Sequence, residues 1–226
     1  MTDPILLAID TCEGTCSAAL VRGDKAIASR MERIGRGHAE RLLPMISELM
    51  AEAGTDYEAL SRLAVCTGPG TFTGLRIGLS VARGVALAKG LPCVGLMSLP
   101  VLAAQAYGDL ADAAADTTVH AIVMGRGGQG FYQAFLGLAE DGLPLPISDA
   151  ASLDGDVIVE KVAARPGIVV GSGASLVGES SPHDAVDPVM LAHLARDLDP
   201  AGYAPEPAYL READAKKAKA LLTVET

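Results

Sequence analysis

One aspartate and two glycine-containing turns are the residues of this chain best suited to phosphate chemistry. Asp10 ends an apolar segment, ILLAID, and is followed by the turn TCEGT at residues 11–15. A second turn, GPGTFTG at residues 68–74, links another apolar segment to a helix-like stretch. Backbone N–H groups in such turns can cradle a phosphate, and a nearby carboxylate can hold its magnesium ion. The pattern therefore suggests a nucleotide site built from Asp10, Thr11, Gly68, Gly70 and Thr71.

The second turn lacks the features of two well-known phosphate-binding motifs. GPGTFTG has no lysine of the P-loop kind, and it does not match the GxGxxG pattern. A tight strand-to-helix turn in which Thr71 or Thr73 caps the helix explains the same residues without any ligand. Both interpretations stay open from these residues alone.

The cysteine and histidine spacings do not indicate a metal centre. The cysteines lie in apolar segments, which favours buried thiols over disulfides or zinc ligands. CEGTC has CxxxC spacing and no histidine close by, and the histidines form no i, i+4 pair. No Ser/His/Asp arrangement for a peptidase is recognisable either. The residues concerned are Cys12, Cys16, Cys66, Cys93, His38, His120, His183 and His193.

Composition limits the class of protein and its partners. The 226 residues are half apolar, which predicts one large domain or two small ones with real cores. A formal net charge of −10 argues against this chain binding nucleic acid alone, since phosphate neutralisation supplies most non-specific affinity. We interpret two basic clusters as solvated surface: Arg30, Arg33, Arg36 and Arg41, and Lys216, Lys217 and Lys219.

No segment of the sequence has the pattern of a membrane span or a secretion signal. Apolar runs such as ILLAI and GIVVG are far shorter than the roughly 20 residues that cross a bilayer. The N-terminus, MTDPILLAID, has no basic region before its apolar run. We therefore expect a cytoplasmic protein.

Two segments have the periodicity of helices. In residues 39–53, Leu42, Ile46, Leu49 and Met50 form one apolar stripe. In residues 73–90 small residues recur every four positions, so one face carries almost no side chains. A helical glycine costs about 1 kcal/mol relative to alanine, so we expect another backbone to pack closely there. The small residues are Gly74, Gly78, Ala82, Ala86 and Gly90.

The second half of the chain repeats the layout of the first. VHAIVMG, the turn RGGQG and FYQAFLGLA reproduce the strand hairpin of residues 4–29, and a strand and a helix follow later. This repetition predicts two related α/β lobes. We place the N-terminal lobe at residues 1–105 and a smaller, divergent C-terminal lobe at residues 106–226.

Taken together, these segments resemble the TsaB (YeaZ) family, bacterial proteins needed to make threonylcarbamoyladenosine at position 37 of tRNAs that read ANN codons. The likeness is carried by ILLAIDTCEGTCSAAL, HAERLLPMI, GPGTFTGLRIGLSVARGVAL and PAYLR. It is continuous from about residue 5 to 105 and looser from residue 118 onward. It implies the two-lobed fold of actin, sugar kinases and Hsp70, with a ribonuclease H-like mixed sheet and helices in each lobe. The family is a paralogue of the catalytic subunit TsaD.

Departures from these relatives argue against catalysis. In TsaD-like proteins the strand after the glycine-loop helix leads into VNHMEGH, whose two histidines bind the active-site metal. The matching segment here, VGLMSLP, has Leu96 and Pro100 at those places, and neither side chain can bind a metal. TsaB-like sequences usually read like DARRGEVY in the second lobe, whereas this chain has Met124 where the aspartate is expected. Asp10 is therefore left without an obvious acidic counterpart.

The resemblance implies a non-catalytic subunit that activates a TsaD-like catalytic subunit, with a TsaE-like ATPase joining the pair. It implies contact through residues 39–53 and 74–90, and a homodimer through the same faces when the chain is alone. We expect no tightly bound cofactor, with ATP or ADP and magnesium at most in the assembled complex, and tRNA contact only through that complex. The expected partner-binding residues are His38, Arg41, Leu42, Ile46, Leu49, Met50, Gly74, Gly78, Ala82 and Ala86.

A variant would test this expectation, and an alternative function remains. Replacing Gly78 by leucine is expected to abolish partner binding while leaving the monomer folded.

The alternative is an independent ATP-dependent phosphotransferase of the same fold. Asp10 and the two glycine-containing turns favour it, whereas the short second lobe and Met124 oppose it.

Overall fold

Two mixed β-sheets with helices on their faces form the two lobes of the protein. The computed structural model describes residues 4–110 and 116–210. The elements built around the first sheet are β1 (Ile5–Asp10), β2 (Thr15–Arg22), β3 (Lys25–Arg33), α1 (His38–Glu52), β4 (Leu60–Cys66), α2 (Phe72–Lys89) and β5 (Cys93–Leu96). The following elements are α3 (Ser98–Leu110), β6 (Thr118–Met124), β7 (Gln129–Leu138), β8 (Pro144–Pro146), β9 (Ala151–Asp154), α4 (Gly155–Ala164), β10 (Ile168–Val170) and α5 (Pro188–Ala195).

The first sheet has the order β3-β2-β1-β4-β5. Strands β1 to β3 are antiparallel, whereas β4 and β5 run parallel to β1. Every residue of β1 is buried, because α1 and α2 pack on one face of the sheet and α5 on the other. A continuous apolar run is typical of a strand covered on both faces. The register brings Asp10 level with Ser17 and sets Ile9 beside Val65, so β1 and β4 end at the same edge of the sheet.

The second sheet repeats this plan on a smaller scale. Its order is β10-β6-β7-β8, with β9 also paired to β7. The hairpin β6–β7 is antiparallel and β10 runs parallel to β6, as β1–β2 and β4 do in the first lobe. Helix α3 packs against β6 and β7. The predicted hairpin in the second half of the chain is therefore confirmed.

The chain does not divide between the lobes at a single point. The expected boundary at residue 105 falls inside α3, which packs on the second sheet. The chain later returns to the first sheet, where α5 contacts β1 and β2. The guanidinium of Arg62 on β4 donates hydrogen bonds to the carbonyl oxygens of Ala195 and Leu198, at 3.0 and 2.6 Å, and so anchors the end of α5. The sequence periodicity gave no indication of this return, because α5 is short and apolar all round.

Among the described residues, no helix is long and apolar enough to cross a membrane. The basic cluster of Lys216, Lys217 and Lys219 lies outside the described residues.

Candidate functional site

The hydroxyl of Thr11 connects the end of β1 to α2. It donates a hydrogen bond to the carbonyl oxygen of Gly74 at 2.7 Å and accepts one from the backbone N–H of Gly78 at 3.0 Å. Those two backbone groups are four residues apart, so the hydroxyl is bonded to both ends of one turn of α2. A Cβ on Gly74 would lie 2.1 Å from the Thr11 carbonyl oxygen, and a Cβ on Gly78 would lie 2.6 Å from the Thr11 hydroxyl. Both glycines are therefore required by the close approach of this chain's own strand.

The turn at residues 68–74 is held by bonds within the protein. Thr71 accepts a hydrogen bond from the N–H of Gly74 through its side chain, and its own N–H donates to the carbonyl oxygen of Cys12 at 2.6 Å. A Cβ on Gly70 would lie 2.0 Å from that same carbonyl oxygen. The carbonyl of Gly68 accepts from the N–H of Ser98. Thr71 thus caps α2, and the turn packs on the β1–β2 connection where a phosphate would have to enter.

Asp10 is buried in a small cluster of polar groups. Its carboxylate accepts a hydrogen bond from the N–H of Cys12 at 3.0 Å. Burial raises the pKa of Asp10, and the bond from Cys12 opposes that shift. Ligand atoms of Asp10, Cys12 and Cys66 lie within 4.8 Å of one another, the one such metal-type grouping in the described part of the chain. A hydrogen bond to Cys66 and burial raise the pKa of the Cys12 thiol.

The segment VGLMSLP, which matches the metal-binding segment of TsaD-like proteins, has no metal ligand at the two matching positions and is buried or half-buried. Leu96 ends β5 at 4 % exposure, and Pro100 lies in the first turn of α3. All four cysteines are free and buried, which confirms the interpretation of their sequence context.

The predicted partner-binding stripe lies in the core instead of on the surface. Leu42, Ile46 and Leu49 are fully buried, Met50 is 5 % exposed, and Gly74, Gly78, Ala82 and Ala86 are buried on the inner side of α2. The first sheet of this chain covers these faces, since α1 packs on β2 and α2 on β4. Direct contact between these side chains and a partner is therefore not available in this fold. Replacing Gly78 by leucine would disturb the packing of α2 on Thr11.

His38 and Arg41 hold α1 in place. His38 is buried, and its Nε2 lies 3.0 Å from the carbonyl oxygen of Thr15. Arg41 forms an ion pair with Glu32 on β3 at 2.6 Å. It forms a second one, at 2.8 Å, with Glu48, which lies seven residues further along α1. These bonds raise the pKa of Arg41 further above its ordinary value and lower that of Glu32. Both residues thus position α1 against the sheet.

A different face of α2 is open to solvent. We call Ile77, Val81, Gly84, Val85 and Ala88 the outer stripe of α2; these residues are exposed or half-buried. Leu87 beside it is 87 % exposed, and Leu43 on the neighbouring α1 is 48 % exposed. A Cβ on Gly84 would meet no atom within 4 Å. The sequence analysis did not predict that the outer stripe is exposed, because it considered only the small residues on the opposite face of α2.

Residues 207–210, the described part of the PAYLR segment, return to the beginning of α2. The ring of Tyr209 stacks on that of Phe72 with 6.1 Å between centroids, and its hydroxyl accepts hydrogen bonds from Arg76. The Arg76 guanidinium also lies 3.6 Å from the centre of the Phe72 ring. Ala208 donates its N–H to the carbonyl of Thr67. These contacts join two motifs that are about 135 positions apart in the sequence.

Two polar contacts join the lobes across a cleft that sequence analysis missed. Ser172 of the second lobe donates a hydrogen bond to Glu13 at 2.5 Å, and Arg33 forms an ion pair with Asp184 at 2.6 Å. Burial raises the pKa of Glu13 to about 7, with smaller contributions from Asp10 and Asp184, while the bond from Ser172 opposes the shift. The partners are 159 and 151 positions apart, so only the tertiary fold brings them together.

Met124 does not supply an acidic group to this cleft. It ends β6, is 38 % exposed, and its N–H donates to the Ser172 hydroxyl at 2.9 Å. The carboxylate that meets the second lobe is Glu13 from the first lobe.

Comparison with known proteins identifies the fold and shows a likeness to one family. Residues 29–139 match the family model of TsaD, tRNA N6-adenosine threonylcarbamoyltransferase. The structure of YeaZ from Pseudomonas aeruginosa is similar over 92 % of this chain and all of that one, with a TM-score of 0.75 and 28 % identity. The protein thus has the two-lobed fold of the actin and sugar-kinase class.

Sequence relatives narrow the class. The chain is 39 % identical over 102 residues to the tRNA threonylcarbamoyladenosine biosynthesis protein TsaB of Escherichia coli, a match that covers 45 % of this chain and 44 % of that protein. It is 29 % identical over 231 residues to TsaB of Bacillus subtilis, which covers 93 % and 96 % of the two chains. The first curated relatives are thus matched over less than half their length, and the Bacillus relative over nearly all of it. The chain is thus similar to TsaB (YeaZ) proteins, over 45 % of its length at 39 % identity and over 93 % of its length at 29 % identity.

The Thr11 bridge predicts a specific loss of stability. Thr11→Val removes the buried hydroxyl that is bonded to Gly74 and Gly78 and should lower the free energy of unfolding by roughly 1–3 kcal/mol, because both of its hydrogen bonds to α2 are lost. Urea denaturation measures the change. Thr73→Val, at an exposed position of the same helix, is the matched control and should change stability by about 0.5 kcal/mol or less. Equal stability of the two variants would show that the bridge is not needed.

Proposed function

We propose that this protein is a non-catalytic, cytoplasmic subunit of the machinery that makes threonylcarbamoyladenosine in tRNA. It binds and activates a TsaD-like catalytic subunit, and a TsaE-like ATPase joins the pair. The observation that carries the proposal is the near full-length match to TsaB, a protein named for this biosynthesis. The uncovered outer stripe of α2 supports it.

The outer stripe has the properties of a helix-packing surface. Ile77, Val81, Gly84 and Ala88 follow one another at helical spacing of four, three and four residues. A glycine at its centre allows a second helix to approach closely. Leu87 and Leu43 would bury further apolar area on contact. The helices predicted to bind the partner are thus retained in the proposal, with their outer faces as the contact.

The same face would form a homodimer in the absence of the partner. An exposed apolar helix face favours self-association, and closed two-fold pairing is the commonest form. Partner binding would then compete with the homodimer. Contact with tRNA occurs only through the complex, consistent with the net charge of −10.

The arrangement around Asp10 supports an accessory role over catalysis. Thr11, Gly70 and Thr71, which were candidates for nucleotide contact, are engaged with α2 and the end of β1. Asp10 is buried with its carboxylate bonded to Cys12. Any ATP or ADP with magnesium would bind in the assembled complex, with groups from the partner.

Partner binding can be tested on the outer stripe. Gly84→Glu places a charged side chain at its centre and should weaken binding to the cognate TsaD-like subunit by at least about tenfold, or 1.4 kcal/mol. Light scattering on a size-exclusion column, with the variant alone and mixed with the partner, measures the complex.

The matched control is Gly108→Glu, at the exposed helical glycine of α3, where a Cβ would meet only the end of Met190 at 3.8 Å. Both changes replace glycine by a better helix former, so neither should destabilise the fold. Normal binding by Gly84→Glu, or equal loss in both variants, would contradict the proposed surface.

The accessory role can be tested at Asp10. Asp10→Asn retains an oxygen that can accept the bond from Cys12, so the fold should persist with a change in unfolding free energy of about 1 kcal/mol. We expect this variant to support threonylcarbamoyladenosine formation in the reconstituted complex as well as the wild type does. ATP turnover by the purified chain alone that disappears in Asp10→Asn would instead establish the independent phosphotransferase.

A further inference from the structure

Helix α2 has a second exposed face, which lies beside the outer stripe. It is formed by residues that follow one another at helical spacing and are all exposed, and we call them the basic ridge of α2: Phe72, Arg76, Ser80, Arg83 and Leu87. At 100° per residue, the centre of this ridge is rotated by roughly 120° from the centre of the outer stripe. The buried face, the outer stripe and the basic ridge therefore divide the surface of the helix among them.

The charge of α2 differs from that of the chain as a whole. The chain has a formal net charge of −10, yet α2 contains Arg76, Arg83 and Lys89 and no acidic residue. Lys89, at the end of the helix, is paired with Glu58. Within residues 4–110 and 116–210, neither Arg76 nor Arg83 forms an ion pair with a carboxylate. Two cationic side chains on this ridge are therefore available to an acidic partner.

Contacts within the chain hold one end of the basic ridge in place. The N–H of Gly95 on β5 donates to the carbonyl oxygen of Tyr203 at 2.8 Å, so the segment that leads to Tyr209 follows the edge of the first sheet. The hydroxyl of Tyr209 lies 3.2 and 3.3 Å from two nitrogens of Arg76. Phe72 and Tyr209 nevertheless remain 54 % and 53 % exposed. Side chains that are ordered before binding lose less entropy when a partner arrives.

The side chains of the ridge are of the kinds that bind other proteins. Aromatic residues and arginine are enriched at the centres of protein interfaces. A guanidinium group can also form two parallel hydrogen bonds with one carboxylate. Arg76 and Arg83 are seven residues apart, which is two helical turns or about 10 Å. A partner helix with acidic residues at the same spacing would present a carboxylate to each of them.

A nucleic acid fits this face less well than an acidic protein segment does. The Arg76 guanidinium lies 3.6 Å from the centre of the Phe72 ring, and Tyr209 stacks on the same ring. The aromatic groups are thus engaged with protein groups, whereas binding of a single strand relies on rings on which bases stack. The net charge of −10 also opposes a polyanion, while a protein segment brings only a few carboxylates.

We propose that the basic ridge binds an acidic helical segment of the same protein partner that covers the outer stripe. Carboxylates of that segment pair with Arg76 and Arg83, and its apolar side chains pack on Phe72 and Tyr209. This inference rests on the proposed function, because it assigns a second contact to the same partner. Apolar packing on the outer stripe then supplies affinity, whereas the ridge selects an acidic partner and speeds association.

The test measures binding of the full chain to the TsaD-like subunit by titration calorimetry at low and high NaCl, about 50 and 300 mM. The wild-type affinity should fall at least about fivefold over this range, since salt screens exposed ion pairs. Arg83→Gln should bind more weakly at low salt and lose part of this dependence. Arg83→Glu should bind at least about tenfold more weakly, because it meets like charges. Arg83→Lys should retain most of the affinity.

Arg83 suits this test because its side chain forms no hydrogen bond or ion pair in the part of the chain that the structure describes. Its replacement therefore leaves the contacts of the fold intact. The matched control is Arg165→Glu, at an exposed arginine that ends α4 in the second lobe. It changes the net charge equally and should alter neither the affinity nor its dependence on salt. Equal loss in both variants would indicate a general effect of charge and would overturn the inference.

The outcomes separate this inference from the proposed function. A complex that Gly84→Glu weakens, but that responds neither to salt nor to Arg83→Glu, overturns the inference and leaves the proposed function standing. Absence of any complex with the wild type contradicts both. Tighter binding by Arg83→Glu would overturn the inference by showing that the ridge holds an acidic segment of this chain. Binding of tRNA by the chain alone that Arg83→Glu abolishes would assign the ridge to nucleic acid instead.

Discussion

The bridge that the Thr11 hydroxyl forms between Gly74 and Gly78 sets the distance between the first strand and α2. At that distance a side chain at either glycine would collide with Thr11, because its Cβ would lie only 2.1 Å from a Thr11 oxygen at Gly74 and 2.6 Å from one at Gly78. The turn at residues 68–74 follows from the same constraint, because it must lead into a helix that starts against the end of β1. Hydrogen bonds that a phosphate would otherwise receive are therefore used to attach a helix.

The two lobes are joined in two physically different ways. Away from the cleft the core is continuous, and buried residues of β6, such as Val119 and Ala121, belong to the same apolar cluster as β1 and α5. At the cleft, by contrast, the contacts are the Glu13–Ser172 hydrogen bond and the Arg33–Asp184 ion pair. Apolar packing is non-directional, whereas these polar contacts depend on charge and distance. Relative movement of the lobes would thus change the polar contacts at the cleft before it changes the apolar packing away from the cleft.

Local patterns in the sequence predicted the elements and the two-lobed fold well. The hairpins follow from alternating apolar residues around short turns, and α1 and α2 follow from their helical periodicity. The same patterns did not show that the predicted partner-binding stripe is covered, since periodicity shows which residues share a face but does not show what lies against it. Leu42 and Ile46 share a stripe that the first sheet covers completely. The Glu13–Ser172 and Arg33–Asp184 contacts could not be predicted from sequence, because their partners are 159 and 151 positions apart and meet only after folding.

Two glycines of α2, Gly78 and Gly84, lie in physically different surroundings. Gly78 is explained within the chain, because Thr11 occupies the space of its side chain. Gly84 lies six residues further on, at 1.5 Å rise and 100° per residue, and therefore points away from Gly78 by about 120°. A side chain there would meet nothing, yet glycine costs about 1 kcal/mol of helix stability relative to alanine. The fold itself does not require this glycine, and the apolar residues on either side of it are the reason why the proposed contact is a second helix.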